Sequence, residues 1–295
     1  MNPSTDTPIS DPAQPASEVV IRASDSLFHF DWRGLWRYRD LLFLLVRRDF
    51  LAKYKQTVLG PIWFVVQPLA TTLIFTIVFS RIANISTDGI PAPIFYLTGL
   101  LVWNYFQTAF AGVAGSLLAN AGVFGKVFFP RLIPSLATTV SAVISVVIQC
   151  VTWVAVYLMI KASHPEPDSF GITPYALFFP LLLVHAAALA MGFGLLMASV
   201  TAKYRDLSFT MGFILQAWLY LTPVIYPLSS VPERWQWLAA INPMTAVVES
   251  CRAILLGESV LTAQMFAVSL GMTVFVLLAG ILLFNRVQRT FVDIL

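Results

Sequence analysis

Residues 136–160 read LATTVSAVISVVIQCVTWVAVYLMI, an unbroken run without a Lys, Arg, Asp, Glu or His. A bilayer core about 30 Å thick is crossed by roughly 20 helical residues, so this one block decides the class of fold. Its apolar residues follow one another without the period-two alternation of an outer-membrane barrel. Lipid offers its backbone no hydrogen-bond partner, so the segment is a helix.

Working outward, comparable blocks occupy 61–80, 94–118, 175–200 and 264–284, and 207–226 is equally apolar. Between 226 and 264 the pattern is broken by Pro227, Pro232, Trp235, Trp237, Pro243 and Gly257. That stretch is too interrupted for a straight span and too apolar for an open loop. It predicts a re-entrant helical pair, which lipid tolerates only where protein or a cavity covers the backbone. Composition agrees: 58% of the 295 residues are hydrophobic and 11% charged, against about 25% charged in a soluble domain. The fold expected is an all-α membrane protein with six transmembrane helices, an N-terminal amphipathic interfacial helix and a re-entrant helical pair between spans five and six.

Basic residues collect on the cytoplasmic side of a membrane protein. Six spans put Arg22, Arg33, Arg37, Arg39, Arg47, Arg48, Lys53, Lys55, Lys126, Arg131, Lys203, Arg205, Arg286 and Arg289 on the side of the termini. Arg81, Lys161, Arg234 and Arg252 fall opposite. Both termini are therefore expected in the cytoplasm. Residues 1–26, rich in Pro, Ser, Thr and Asp, read as a disordered cytoplasmic tail rather than a signal peptide. Residues 27–58 hold the amphipathic element: Trp32, Leu35, Trp36, Leu42, Phe43, Val46 and Phe50 recur at helical spacing, with Arg33, Arg37, Asp40, Arg47, Arg48 and Lys55 roughly opposite. Residues 59–295 form the transmembrane domain.

Few residues suit covalent chemistry. The Gly125–Lys126 pair lacks the glycine and hydroxyl neighbours of a phosphate-binding loop, so any ATP is hydrolysed on another chain. His29, His164 and His185 are scattered, and Cys150 and Cys251 have no metal-ligand spacing. No metal site and no catalytic residue is expected, and nothing points to nucleic acid. His185 alone places a titratable group inside a span; with no carboxylate in any span it reads as an imidazole satisfied by a neighbouring helix. Ala186, Ala190, Gly194 and Ala198 recur every four residues, a stripe for close helix packing, within the chain or between two copies. Aromatics crowd the span ends. Most suit a headgroup belt, while Trp63, Phe79, Trp103, Tyr105, Trp218, Tyr220 and Tyr226 are candidates to line an internal path, where rings with apolar C–H faces, such as those of sugars, would lie well on aromatic rings.

Local motifs carry a more specific signal. Residues 47–63 read RRDFLAKYKQTVLGPIW, with Gln67-Pro68 following. Then come Gly125-Lys126-Val127-Phe128-Phe129-Pro130-Arg131 with Pro134, Lys203-Tyr204-Arg205-Asp206-Leu207, Thr222-Pro223-Val224-Ile225-Tyr226 and Ile241-Asn242-Pro243-Met244. In this order the chain, from about residue 41 to 289, resembles the ABC-2-type polysaccharide export permeases, the transmembrane subunits of O-antigen, teichoic-acid and capsule exporters.

The resemblance implies a homodimeric permease of the bacterial inner (plasma) membrane, paired with two nucleotide-binding ATPase subunits that hold ATP and Mg. It would move a lipid-linked polysaccharide of O-antigen type outward, and would not itself be an enzyme or hold a cofactor. A coupling helix at about 119–131 would dock on the ATPase through Lys126, Phe128, Phe129 and Arg131, with Tyr204, Arg205 and Asp206 as a second contact or an internal brace. The 32–55 helix resembles the family's gate helix, where Arg47, Arg48, Lys53 and Lys55 would receive the anionic lipid head. Rival readings are a capsular-polysaccharide or teichoic-acid permease, an ABC-2-type drug or lipid exporter, and a membrane-bound glycan-modifying enzyme. The last would show clustered acids, whereas Glu249 and Glu258 stand apart.

Overall fold

A computed structural model describes residues 36–55, 57–124, 129–163, 170–257 and 259–290. The expected tail at 1–26 and the start of the amphipathic element, with Trp32 and Leu35, lie outside the described residues. The elements are α1 Arg39–Tyr54, α2 Gly60–Ile82, α3 Ala92–Ala119, α4 Leu132–Ser163 and α5 Phe179–Thr201. They continue with α6 Leu207–Leu221, α7 Glu233–Ile241, α8 Pro243–Leu256 and α9 Ala263–Thr290. Every regular element among the described residues is helical.

By length and composition four helical stretches suffice to cross a bilayer, α2, α4, Pro174–Thr201 around α5, and Ala263–Gln288 of α9, with the α7–α8 pair as a fifth if it counts as one span. Two of the expected six depart from that standard for physical reasons. α3 has 28 residues and no charge, but Asn104 and Gln107 lower its hydropathy. α6 has 15 residues, about 22 Å of helix. It stops at Thr222 because a residue before proline is driven out of helical backbone; Thr222 sits at φ −99°, ψ 139°. The same rule bends the predicted re-entrant pair. Asn242, before Pro243, is extended at φ −67°, ψ 111°, and α7 and α8 meet at 97°.

α3 is the centre of the bundle. Phe95, Tyr96, Trp103, Tyr105, Phe106 and Phe110 are buried along it, packed by α4, α5 and α8, and α5 packs in turn on α9. Burying apolar surface gives little drive between helices already in lipid, so close packing and interhelical hydrogen bonds must hold the bundle. Both are present. Ala186, Ala190 and Ala198 are fully buried, and a Cβ on Gly194 would come within 2.7 Å of Val113 on α3. The small-residue stripe thus packs inside the chain. On the next face a Cβ on Gly280 would strike the carbonyl oxygen of Gly192 at 2.5 Å, which lets α9 lie backbone to backbone on α5. Trp153 Nε1 donates to Thr98 at 2.7 Å, Ser116 and Ser135 meet at 2.8 Å, and Asn104 donates to Gln149 at 3.3 Å.

The first helix departs from its expected division into two faces. Leu45 is buried with Tyr38, Leu41, Leu42 and Val46 alongside, against Phe129, Ile133 and Ala137. Trp36, Phe43 and Leu44 are more than 60% exposed on the other side. Apolar surface therefore lies on both faces, because α1 packs on α4 as well as presenting an outer surface.

Candidate functional site

One end of the bundle gathers the expected coupling and lipid-head residues. The ends of α3, α5 and α9 and the start of α4 meet there around Val113, Leu117, Leu195, Ala198 and Phe284, with Ala121 and Leu132 alongside. Asn120 closes α3, its amide donating to the Ser116 carbonyl at 2.9 Å. The Arg48 guanidinium reaches the Asn120 carboxamide oxygen at 3.2 and 3.3 Å and Asp49 at 2.9 and 3.0 Å. Above this lock, between α1, α3 and α4, opens a cavity of about 350 Å³ floored by Gly112, Gly115, Ser116 and Ser141. Arg48 is thus already engaged although its side chain is half exposed, and Arg47 and Lys55 are exposed too. The side chain of Lys53 lies outside the described residues.

Of the coupling residues, Lys126 and Phe128 lie outside the described residues. Phe129 is 6% exposed and packs inward on Leu45, Ile133 and Ala137, which leaves its ring no surface for a partner in this chain. Arg131 donates to the Gln288 carbonyl and so ties the start of α4 to the end of α9. Partial burial draws its pKa below the ordinary arginine value. Tyr204, Arg205 and Asp206 are exposed in the turn between α5 and α6. No ion pair joins Arg205 to Asp206 among the described residues.

The opposite end holds a buried charge cluster. Arg252, 2% exposed, donates to Glu249 at 2.7 Å and to the Val224 carbonyl at 3.1 Å. Its guanidinium lies 3.8 Å from the centroid of the Phe95 ring. Ser259 donates to the other Glu249 oxygen at 3.2 Å. The Arg252 Nε has no hydrogen-bond partner among the described residues, so the two charges taken out of water are paired rather than fully satisfied. The cluster joins α8, α3 and the turn after α6. Nearby Asn242 caps α8 through the Met244 N–H at 3.1 Å, accepts from Trp218 Nε1 at 2.9 Å and donates to Thr222 at 2.9 Å.

The path candidates separate by exposure. Trp103 and Tyr105 are 1% exposed, and Trp103 donates to Gln107 within α3; within this chain they are core side chains with no ring face left for a polymer. Phe79, Trp218 and Tyr226 are half-buried. Trp218 stands edge-on to Phe106 at 5.0 Å and to Phe193 at 4.9 Å. Trp63 on α2 and Tyr220 on α6 are about half exposed. His185 Nε2 sits 3.0 Å from Thr273 and 3.3 Å from Ser269 on α9, while its Nδ1 has no hydrogen-bond partner among the described residues.

The described residues thus place a polar lock at one end of the bundle and a bent helical pair held by buried charge at the other. The sequence pattern of the family described as ABC-2 type transporter matches residues 40–256, from α1 through α8. The chain belongs to the ABC-2 type transporter family. This ABC-2 chain is 25% identical over 265 residues to the O-antigen export system permease protein RfbA of Myxococcus xanthus, covering 88% of its own length and 97% of that protein. It is 25% identical over 217 residues to the polysialic acid transport protein KpsM of Escherichia coli, 72% and 79% of the two chains. To the capsule polysaccharide export inner-membrane protein CtrC of Neisseria meningitidis serogroup B it is 26% identical over 242 residues, 79% and 85%. The chain is thus a multi-pass membrane subunit of an ABC transporter.

Two contacts of this ABC-2 chain were not legible in its sequence. The Arg48–Asn120 lock spans 72 positions, and nothing local marks Asn120 as its acceptor. The Val224 carbonyl that receives Arg252 is a backbone group, which no side-chain pattern announces. The Glu249–Arg252 pair itself was legible, from its spacing of three on a helix.

Proposed function

We propose that this chain is the permease of an ABC exporter that moves a lipid-linked polysaccharide, O-antigen in type, from the cytoplasm outward across the bacterial inner membrane. The observation that carries the reading is similarity along 72–88% of the chain to permeases named for O-antigen, polysialic acid and capsule export. Coverage favours O-antigen, since that relative matches almost end to end. Capsular polysaccharide is the second reading, because the capsule permease matches most of its length too.

In this reading α2, α3, α4, α5, α6 and α9 are the six spans, both termini are cytoplasmic, and α1 is the interfacial gate helix. Two copies face each other through α2 and α6, where Trp63 and Tyr220 lie open to a polymer that must bind weakly at many points to keep moving. Arg47 and Lys55 meet the anionic lipid head. Two ATPase subunits, holding ATP and Mg, dock against the 119–131 segment and the Tyr204-Arg205-Asp206 turn.

The test is co-purification with a co-expressed ATPase partner, followed by hydrolysis assays in lipid with and without lipid-linked glycan. A stable complex whose hydrolysis responds to glycan, with the response lost on Arg205→Glu, supports the reading. A chain that binds no ATPase and ignores glycan overturns it.

A further inference from the structure

At the far end of α9 from Gln288, an open cavity of about 270 Å³ lies between its first turns and α7. Gln236 and Trp237 line it from α7, Thr262 from the approach to α9, and Gln264, Met265 and Val268 from α9 itself. No charged side chain lines it among the described residues. We infer that this cavity holds a single neutral sugar residue of the glycan on the side of the membrane opposite the Arg48 lock.

Trp237 is 56% exposed, and a pyranose ring presents an apolar C–H face that lies against an indole. Three other tryptophans use their indole N–H inside the chain, Trp103 on Gln107, Trp153 on Thr98 and Trp218 on Asn242. The Trp237 N–H and the Gln264 carboxamide have no partner among the described residues. Gln236 donates its amide to the Val231 carbonyl at 3.1 Å, which orients the group and leaves its oxygen to accept. Thr262 Oγ1 accepts from the Met265 N–H at 3.2 Å and keeps its own proton to donate. The wall therefore offers donors and acceptors side by side, which suits hydroxyls that are both at once.

A phospholipid head, the other molecule at that depth, carries a phosphate that calls for Arg or Lys, and none lines the cavity. The neighbouring Trp235 serves as an internal control, since Arg234 lies over its ring at 5.9 Å.

The inference rests on the polysaccharide reading above, and its test separates the two. The full chain with its ATPase, in phosphatidylethanolamine–phosphatidylglycerol nanodiscs, is probed by saturation-transfer NMR with the methyl glycosides of glucose, galactose, mannose, rhamnose and N-acetylglucosamine. Transfer to ring C–H protons of at least one glycoside is expected, with binding about tenfold weaker in Trp237→Leu and in Gln264→Ala and unchanged in Trp235→Leu. Trp237→Phe, which keeps a ring and loses the N–H, should fall between. No transfer from any glycoside, equal transfer in the variants, or contacts to phospholipid headgroups alone would overturn the inference. If the same particles still hydrolyse ATP in response to lipid-linked glycan, the cavity assignment fails and the exporter reading stands. If they do not, the exporter reading fails by itself.

Discussion

The carboxamide oxygen of Asn242 accepts the indole N–H of Trp218 at 2.9 Å and the backbone N–H of Met244 at 3.1 Å. One side chain thereby caps α8, fixes the break between α7 and α8, and anchors the end of α6. Removing an N-cap costs about 1 kcal/mol, and stranding a buried donor adds roughly 1–3 kcal/mol. Asn242→Ala should therefore lower the thermal midpoint of the purified chain more than Trp218→Phe does. The double variant should lose less than the sum, and full additivity would show that the two act separately.

Arg252 and Glu249 should behave as one unit. Removing one partner of a buried pair costs about 3–5 kcal/mol, while replacing both with apolar residues of similar volume is close to neutral. Arg252→Met and Glu249→Leu are each expected to cut the yield of folded chain sharply, and the double variant to recover most of it. The comparison is read by size-exclusion profile after membrane extraction.

At the α5–α9 contact, Gly280→Ala places a methyl 2.5 Å from the Gly192 carbonyl oxygen. Overpacking of this kind costs about 1–3 kcal/mol, measurable as a lower thermal midpoint. Gly271 lies on the same helix with nothing within 4 Å of an added Cβ, so Gly271→Ala should leave the midpoint unchanged.

Among the described residues the His185 Nε2 meets hydroxyls, at Thr273 and Ser269, and the ring stands edge-on to Phe266. His185→Gln keeps a hydrogen-bonding head and should preserve both export and its pH profile between about pH 6 and 8, the range in which an unperturbed imidazole titrates. A profile flattened by this substitution would show a proton-carrying role.

Phe129 is interior, so Phe129→Ala should destabilise the chain by about 3 kcal/mol. It is not expected to yield a stable, uncoupled permease. A well-folded Phe129→Ala protein that binds its ATPase weakly would place the ring in the docking contact instead.

The amino-acid sequence by itself determined the helical membrane class and the apolar blocks within a few residues of their helices. It also determined two of the breaks, because Pro223 and Pro243 force Thr222 and Asn242 out of helical backbone whatever surrounds them. The i, i+3 spacing of Glu249 and Arg252 announced their pairing in the same local way. Only the tertiary structure decided which faces are inside. A helix apolar all round carries no periodic signal of its buried side, since lipid and protein interior accept the same residues. Hence Trp103 and Tyr105 proved to be core while Trp63 and Tyr220 are open, and Phe129 turned inward. Arg48 found Asn120 only because α1 folds back beside the end of α3, a meeting set by long-range packing and not by any spacing along the chain.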